Sequence, residues 1–285
     1  MKPVIEVNSL TKSYGDLKVV KNLSLTINHG EIFAILGPNG AGKTPTVEIL
    51  EGFRAADGGQ ISVLGVNPAI KGAAALAWRD RIGIVLQSTQ DTAELTVREA
   101  ITHFSSYYSN PRDVEDVISL VGLEEKSNDR ARSLSGGQRR RLDVGLGIVG
   151  RPELLFLDEP TTGFDPEARR AFWVLIKQLR DEGTTILLTT HYLDEAEALA
   201  DRVAVMNRGE IIEISTPALL GGRAHSQATV TWREDGVLRN ETTDSPTQFV
   251  HQLSARLGGE IPELSVHRPT LEDIYLSMIG ATHEQ

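Results

Sequence analysis

Eight residues, Gly37-Pro38-Asn39-Gly40-Ala41-Gly42-Lys43-Thr44, constrain this chain more than any others. They follow Ile32-Phe33-Ala34-Ile35-Leu36, a short β-rich apolar run of the kind a strand buried on both faces requires. They precede residues 43–52, which read as a helix. Glycines at this spacing let the backbone wrap closely and aim its N–H groups at an anion. The helix that follows turns its free N–H groups and positive dipole end toward the same point. Strand, glycine loop and helix in this order predict a phosphate cradle, with Lys43 reaching the β- and γ-phosphates of a nucleotide and the Thr44 hydroxyl holding Mg²⁺.

A second signal has the same polarity. Leu154-Leu155-Phe156-Leu157 is an apolar strand that ends in two carboxylates, Asp158 and Glu159. In a parallel sheet ligands gather at the carboxyl ends of strands. There Asp158 is expected to hold Mg²⁺ through water, and Glu159 to act as general base on the water that attacks the γ-phosphate. A third element, Leu134-Ser135-Gly136-Gly137-Gln138, opens another helix and offers a second anion site, or simply a serine-capped helix start. One chain thus carries two half-sites for phosphate, which suits two chains meeting head to tail.

Between these landmarks strand and helix patterns alternate. Residues 61–64 and 82–86 read as strands around a helix at 73–81, with Gly58-Gly59 as a turn. Residues 96–122 are helical in pattern, with Pro111 as a helix start and Gly122 as a stop. Residues 166–182, 185–189, 193–200 and 203–206 then alternate helix and strand, which argues a parallel sheet covered on both sides. The character changes after Pro217. Gly221-Gly222 reads as a linker, residues 228–233 and 237–242 flank the hairpin signal Glu234-Asp235-Gly236, and helical patterns follow at 248–257 and 271–278. The expected organisation is a main domain over 1–216, with a helical subdomain at about 88–150, and a small α+β appendage over 217–285.

Formal net charge is −10 at pH 7, which disfavours nucleic acid as a partner, because phosphate binding needs a net basic face. The run Arg139-Arg140-Arg141 leaves room for a local basic patch. There is no cysteine, so disulfides and thiolate metal sites are excluded. No stretch approaches the ~20 apolar residues of a spanning helix, and the start carries no signal-peptide run. The expectation is a soluble chain whose membrane-spanning partners, if it serves transport, are separate polypeptides.

Taken together these residues resemble the ATP-binding subunit of ABC transporters, in order and spacing from about Ile5 to Ile214. Gly37 to Thr44 match Walker A, Leu134 to Gln138 match the LSGGQ signature without a change, and Asp158-Glu159 match Walker B with its catalytic glutamate. The resemblance implies a P-loop NTPase fold with a mostly parallel sheet, an antiparallel β subdomain and a helical subdomain. It implies ATP and Mg²⁺ held by Gly37 through Thr44 together with Thr46, and by Ser135, Gly136, Gly137 and Gln138 of a second copy. Gln87 matches the Q-loop glutamine, implying an Mg²⁺ contact and coupling to a membrane subunit. Asp165 matches the D-loop aspartate, His191 the switch histidine that bonds the γ-phosphate, and Tyr14 the aromatic that stacks on adenine. A homodimer peripheral to the cytoplasmic face of the membrane, beneath separate permease subunits, is implied.

Pro45 stands where the family usually has Ser or Thr, and Phe164 where Leu is usual. Pro269-Thr270-Leu271-Glu272-Asp273-Ile274-Tyr275 and the arginine run resemble the ATPases of daunorubicin-resistance exporters, which implies export of drugs, lipids or glycans. Two other readings remain: a non-transport ATPase of the same superfamily, and a weakly hydrolysing regulatory module, which Pro45 favours.

Overall fold

The computed structural model describes residues 3–85 and 93–280. The chain divides into two compact units, Met1–Ile214 and Ser215–Gln285. Among the described residues no helix is long and apolar enough to cross a membrane.

The first unit is organised by a six-stranded sheet. Its middle strand, Ile32–Leu36, is buried at every residue, as its unbroken apolar run requires. It pairs in parallel with Thr185–Thr190 on one side and Arg202–Asn207 on the other. Leu154–Asp158 continues the sheet beyond Thr185–Thr190, with Asp158 opposite Thr189, and Ile82–Val85 forms one edge. Glu210–Ser215 forms the other edge. Leu36, Asp158 and Thr190 all end at one side of the sheet. The loops that follow them therefore leave from a common rim, where ligands of parallel sheets bind.

A three-stranded antiparallel sheet, in the order Leu17–Ile27, Ile5–Tyr14 and Gly58–Val63, completes the core of this unit. Here the structure corrects an expectation, because Gly58-Gly59 begins a strand and is not a turn. Gly59 has φ +100, and a Cβ added there would lie 2.7 Å from the backbone of Leu10. Gly59 is needed where the register shifts between Asn8 and Thr11.

The helical stretch is two helices, each with its own cap. Thr96 and Glu99 form a capping box for Val97–Ser105, and Asp113 caps Val114–Leu120 through the N–H groups of Glu115 and Asp116. The second helix thus starts at the aspartate and not at Pro111. Gly136–Ile148 follows, opened by a Ser135–Gln138 capping box.

The second unit is a three-stranded sheet, Val237–Thr243, Ala228–Glu234 and Ser265–His267, with helix Pro246–Leu257 packed on Val230 and Trp232. Asp235 and Gly236, at φ 52 and 78, make the two-residue turn that twists with its flanking strands. Gly221 and Gly222 do not form a free linker. They lie in the 3₁₀ segment Leu220–His225, and a Cβ on Gly221 would meet Ile274 Cγ2 at 2.4 Å.

One buried acid gives the first unit a pH dependence. Glu51, at the end of helix Lys43–Leu50, is 5% exposed. Burial, with Asp158 and then Glu48 nearby, pushes its carboxyl up to about 8. The unfolded chain releases this proton near the ordinary glutamate range while the folded chain keeps it, so stability falls as pH rises through that window and levels off above about 8. Glu51→Gln removes the penalty. We expect it to raise the melting temperature by about 5 °C or more at pH 8, and to change it little at pH 4.5. Melting followed by circular dichroism at both pH values checks this, and an equal shift at both would contradict it.

Candidate functional site

The loop after Ile32–Leu36 is shaped by its glycines. A Cβ on Gly37 would lie 2.3 Å from the Met206 carbonyl oxygen, and one on Gly42 would lie 2.4 Å from that of Val19. Gly40 and Gly42 take φ of +80 and +101, a region closed to most side chains. The Ala41 N–H donates to the Pro38 carbonyl at 3.2 Å and closes the loop into a cradle. Lys43 is buried and folds back over it, its Nζ donating to the carbonyls of Gly37 at 2.7 Å and Pro38 at 3.2 Å. Burial lowers the Lys43 pKa, and the carboxylates of Glu159 and then Asp158 oppose that shift. The ammonium and both acids thus share one electrostatic neighbourhood.

These residues fit a nucleotide phosphate. The cradle excludes side chains, and its only cation is satisfied by loop carbonyls that an anion can replace. Thr44 is exposed at the second helical position. Thr46, expected at the nucleotide, is wholly buried, and its hydroxyl donates to the Gly42 carbonyl at 2.8 Å. It braces the loop from behind.

Asp158 and Glu159 leave the end of strand Leu154–Asp158. The Thr189 hydroxyl donates to Asp158 Oδ1. The Glu159 N–H reaches both the carbonyl and the hydroxyl of Thr189, each at 3.2 Å. Glu159 itself sits at φ 43, a strained backbone for a non-glycine residue. Its Oε1 lies 3.2 Å from His191 Nδ1. The two residues expected to act on water and on the γ-phosphate are therefore in direct contact, each just past the end of one of two adjacent strands.

The basic run after the signature is not a patch. Arg140 is buried, and its guanidinium donates to the carbonyls of Pro160 at 3.0 Å and Asp158 at 2.8 Å, bracing the chain on both sides of Glu159. Arg139 lies 3.4 Å from Asp143. Arg141 lines a shallow depression of about 270 Å³ with Ser135, Gly137, Gln138, Asp165 and Ala168. The signature and the D-loop aspartate therefore share one surface. The Asp165 side chain accepts from the Ala168 N–H at 2.8 Å and caps helix Pro166–Asp181. The Ser135 hydroxyl accepts from the Gln138 N–H, and Gly136 has open space on the side where a Cβ would stand.

Tyr14 is 44% exposed at the end of strand Ile5–Tyr14. The Arg54 guanidinium lies 5.1 Å from its ring centre and the Lys12 ammonium 5.8 Å. Gln87 lies outside the described residues. Sequence reasoning missed Thr189 and Arg140 as supports. The available signals were a hydroxyl opposite Asp158 in the register and the helical step of about 100° that separates Arg140 from its two arginine neighbours.

Pro45 sits at the third position of helix Lys43–Leu50 and is half-buried. A first-turn proline is sterically accepted, but it supplies neither an N–H nor a hydroxyl to an anion at the helix start. One hydrogen bond regained is about 1 kcal/mol, or roughly fivefold in affinity. Pro45→Thr is expected to tighten ATP binding by at least that factor, measured by calorimetry, and an unchanged affinity would show that the position does not face the nucleotide.

A profile of the family described as ABC transporter matches residues 20–162. The chain is 38% identical over 297 residues to Nod factor export ATP-binding protein I of Rhizobium meliloti (strain 1021), covering 97% of this chain and 88% of that protein. It is 30% identical over 311 residues to the linearmycin resistance ATP-binding protein LnrL of Bacillus subtilis (strain 168), covering 98% and 99%. Among solved structures, the ADP conformation of MJ1267, an ATP-binding cassette of an ABC transporter, superposes with a TM-score of 0.67 at 26% identity, over 76% of this chain and 92% of that one.

Proposed function

The chain belongs to the ATP-binding cassette ATPases of ABC transporters, and from that premise we propose that it drives an exporter by closing as a dimer around ATP, beneath separate membrane-spanning subunits. The contact between Glu159 and His191, beside the buried Lys43 of the glycine cradle, carries this reading. Relatives named for Nod factor export and linearmycin resistance support export over import.

The residues divide the work as follows. N–H groups of Gly40 through Thr44 and the Lys43 ammonium bind the β- and γ-phosphates, with Lys43 exchanging its bonds to Gly37 and Pro38 for phosphate oxygens. Tyr14 stacks on the adenine, in place of or beside Arg54. Mg²⁺ held by Thr44, Asp158 and Gln87 would draw negative charge from the phosphates. Glu159 takes the proton of the attacking water. His191 is held by Glu159 before ATP arrives and turns its donor to the γ-phosphate when the site closes. Ser135, Gly136, Gly137 and Gln138 of a second copy cover the other side of the nucleotide, with Asp165 at the same seam.

Each copy then carries a cradle and a cover that serve different ATP molecules. The depression that joins the signature to Asp165 and Arg141 is lined by none of the cradle residues, which supports that division. The purified chain is expected to hydrolyse ATP, and Glu159→Gln to lower that turnover by about 100-fold or more while leaving nucleotide binding intact. Turnover near the wild-type rate after the substitution would remove Glu159 from the role of base.

A further inference from the structure

His191 touches more than Glu159. Its ring centre lies 4.1 Å from that of Tyr192, with the planes tilted by 39°. The Arg169 guanidinium lies 4.8 Å from the Tyr192 ring centre, and its Nη1 donates to Asp194 Oδ2 at 2.8 Å. Arg169 is one helical turn beyond Asp165, which caps the same helix. A continuous set of contacts thus runs from the D-loop helix through Arg169, Tyr192 and His191 to Glu159.

The backbone here is held from beneath. The Tyr192 N–H donates to the Thr190 hydroxyl at 2.9 Å. Glu195, one turn on, is fully buried. The Thr190 and Thr161 hydroxyls and the Trp173 indole surround its carboxyl, and burial raises its pKa. Trp173 and Thr161 belong to the helix after Asp165 and to the loop after Glu159. The segment bearing His191 therefore packs against both at its base, and the ring stack sets the imidazole itself.

We propose that Tyr192, held between Arg169 and His191, is a positioning residue that presents the His191 imidazole to Glu159 and makes its orientation depend on the helix that starts at Asp165. This rests on the role given to His191 under the proposed function. A flat guanidinium over one aromatic ring and a second ring against it favours one arrangement of all three. Because Asp165 lies on the surface shared with the signature, docking of a second copy there would be felt at His191 through one helix. Loss of the stack lets the imidazole sample other rotamers. That lowers the fraction of bound ATP that meets an ordered histidine, without weakening the cradle.

The test combines kinetics with histidine NMR on the full chain. Tyr192→Ala and Arg169→Ala are expected to lower kcat for ATP about tenfold with KM within twofold, while Tyr192→Phe, which keeps the ring, stays within twofold in both. In a His191→Ala background Tyr192→Ala is expected to have no further effect. The His191 imidazole signal, assigned by its disappearance in His191→Ala, should move in Tyr192→Ala and hold its place in Tyr192→Phe. Arg169→Lys keeps the charge and the helix but not the flat stack, and is expected to move the same signal even if Tyr192→Ala folds poorly. The proposal is overturned if Tyr192→Ala turns over at the wild-type rate, or if its loss persists undiminished without His191. A wild-type rate in His191→Ala alone sinks the role of that histidine instead, and the imidazole signal then decides the stack by itself.

Discussion

Glu159→Gln is expected to lower ATP turnover by about 100-fold or more, the range for removing a general base, with ATP still bound. The reason lies in how the residue is held. Its backbone is at φ 43, fixed by two bonds to Thr189, and its side chain faces His191 at 3.2 Å. Structures retain strain of this kind where it orients a functional group. Gln keeps the shape and can still bond His191, but it cannot take a proton from water. The fold and the cradle should be untouched, so the melting temperature is expected within about 2 °C of wild type, less than ~1 kcal/mol in a domain of this size. A steady-state phosphate-release assay beside a nucleotide-binding isotherm checks both halves. Loss of binding together with turnover would show that Glu159 supports the cradle and is not the base.

Gly42→Ala should do the opposite, removing binding and stability together. The position has φ +101, where a side chain costs roughly 1–2 kcal/mol. The added Cβ would meet the Val19 carbonyl oxygen at 2.4 Å and Met206 Cε at 2.8 Å. The methionine can swing aside, but Val19 belongs to a paired strand of the antiparallel sheet and its backbone cannot. Together these effects place the loss at about 3 kcal/mol, or roughly 6–12 °C in melting temperature. ATP affinity should fall with it, because Gly42 precedes Lys43 and caps its helix. A melting scan with and without ATP checks this. A variant that melts as wild type and binds ATP would mean that the loop does not make the close approach seen here.

The parts of the site that were legible in the sequence are those where the backbone does the chemistry. Gly37, Gly40 and Gly42 stand at fixed spacing because Met206, Val19 and a positive φ leave no room for other residues, so the pattern carries the geometry with it. Asp158 and Glu159 were legible because an apolar strand must end where its polarity changes. The sheet followed from runs such as Ile32 to Leu36, which only a strand buried on both faces tolerates. What escaped depends on side-chain direction or on remote partners. Gly58-Gly59 has the composition of a turn, and only the neighbouring backbone of Leu10 makes it a strand. Three consecutive arginines suggest a patch, yet successive helical residues point about 100° apart. Arg140 is consequently buried against Pro160 while Arg141 faces the signature surface. Gly221 has the composition of a linker, yet Ile274, remote in sequence, packs against it. Arg169 and Tyr192 lie 23 positions apart, and nothing local to either announces the other.

The account rests on the claim that cradle and signature of two copies complete each other around ATP, and the mass of Glu159→Gln in solution tests it most directly. Light scattering is expected to give the mass of one chain without nucleotide and twice that mass with saturating ATP and Mg²⁺, with return to the single chain when ATP is removed. A single-chain mass at concentrations where ATP demonstrably fills the cradle would contradict the shared site.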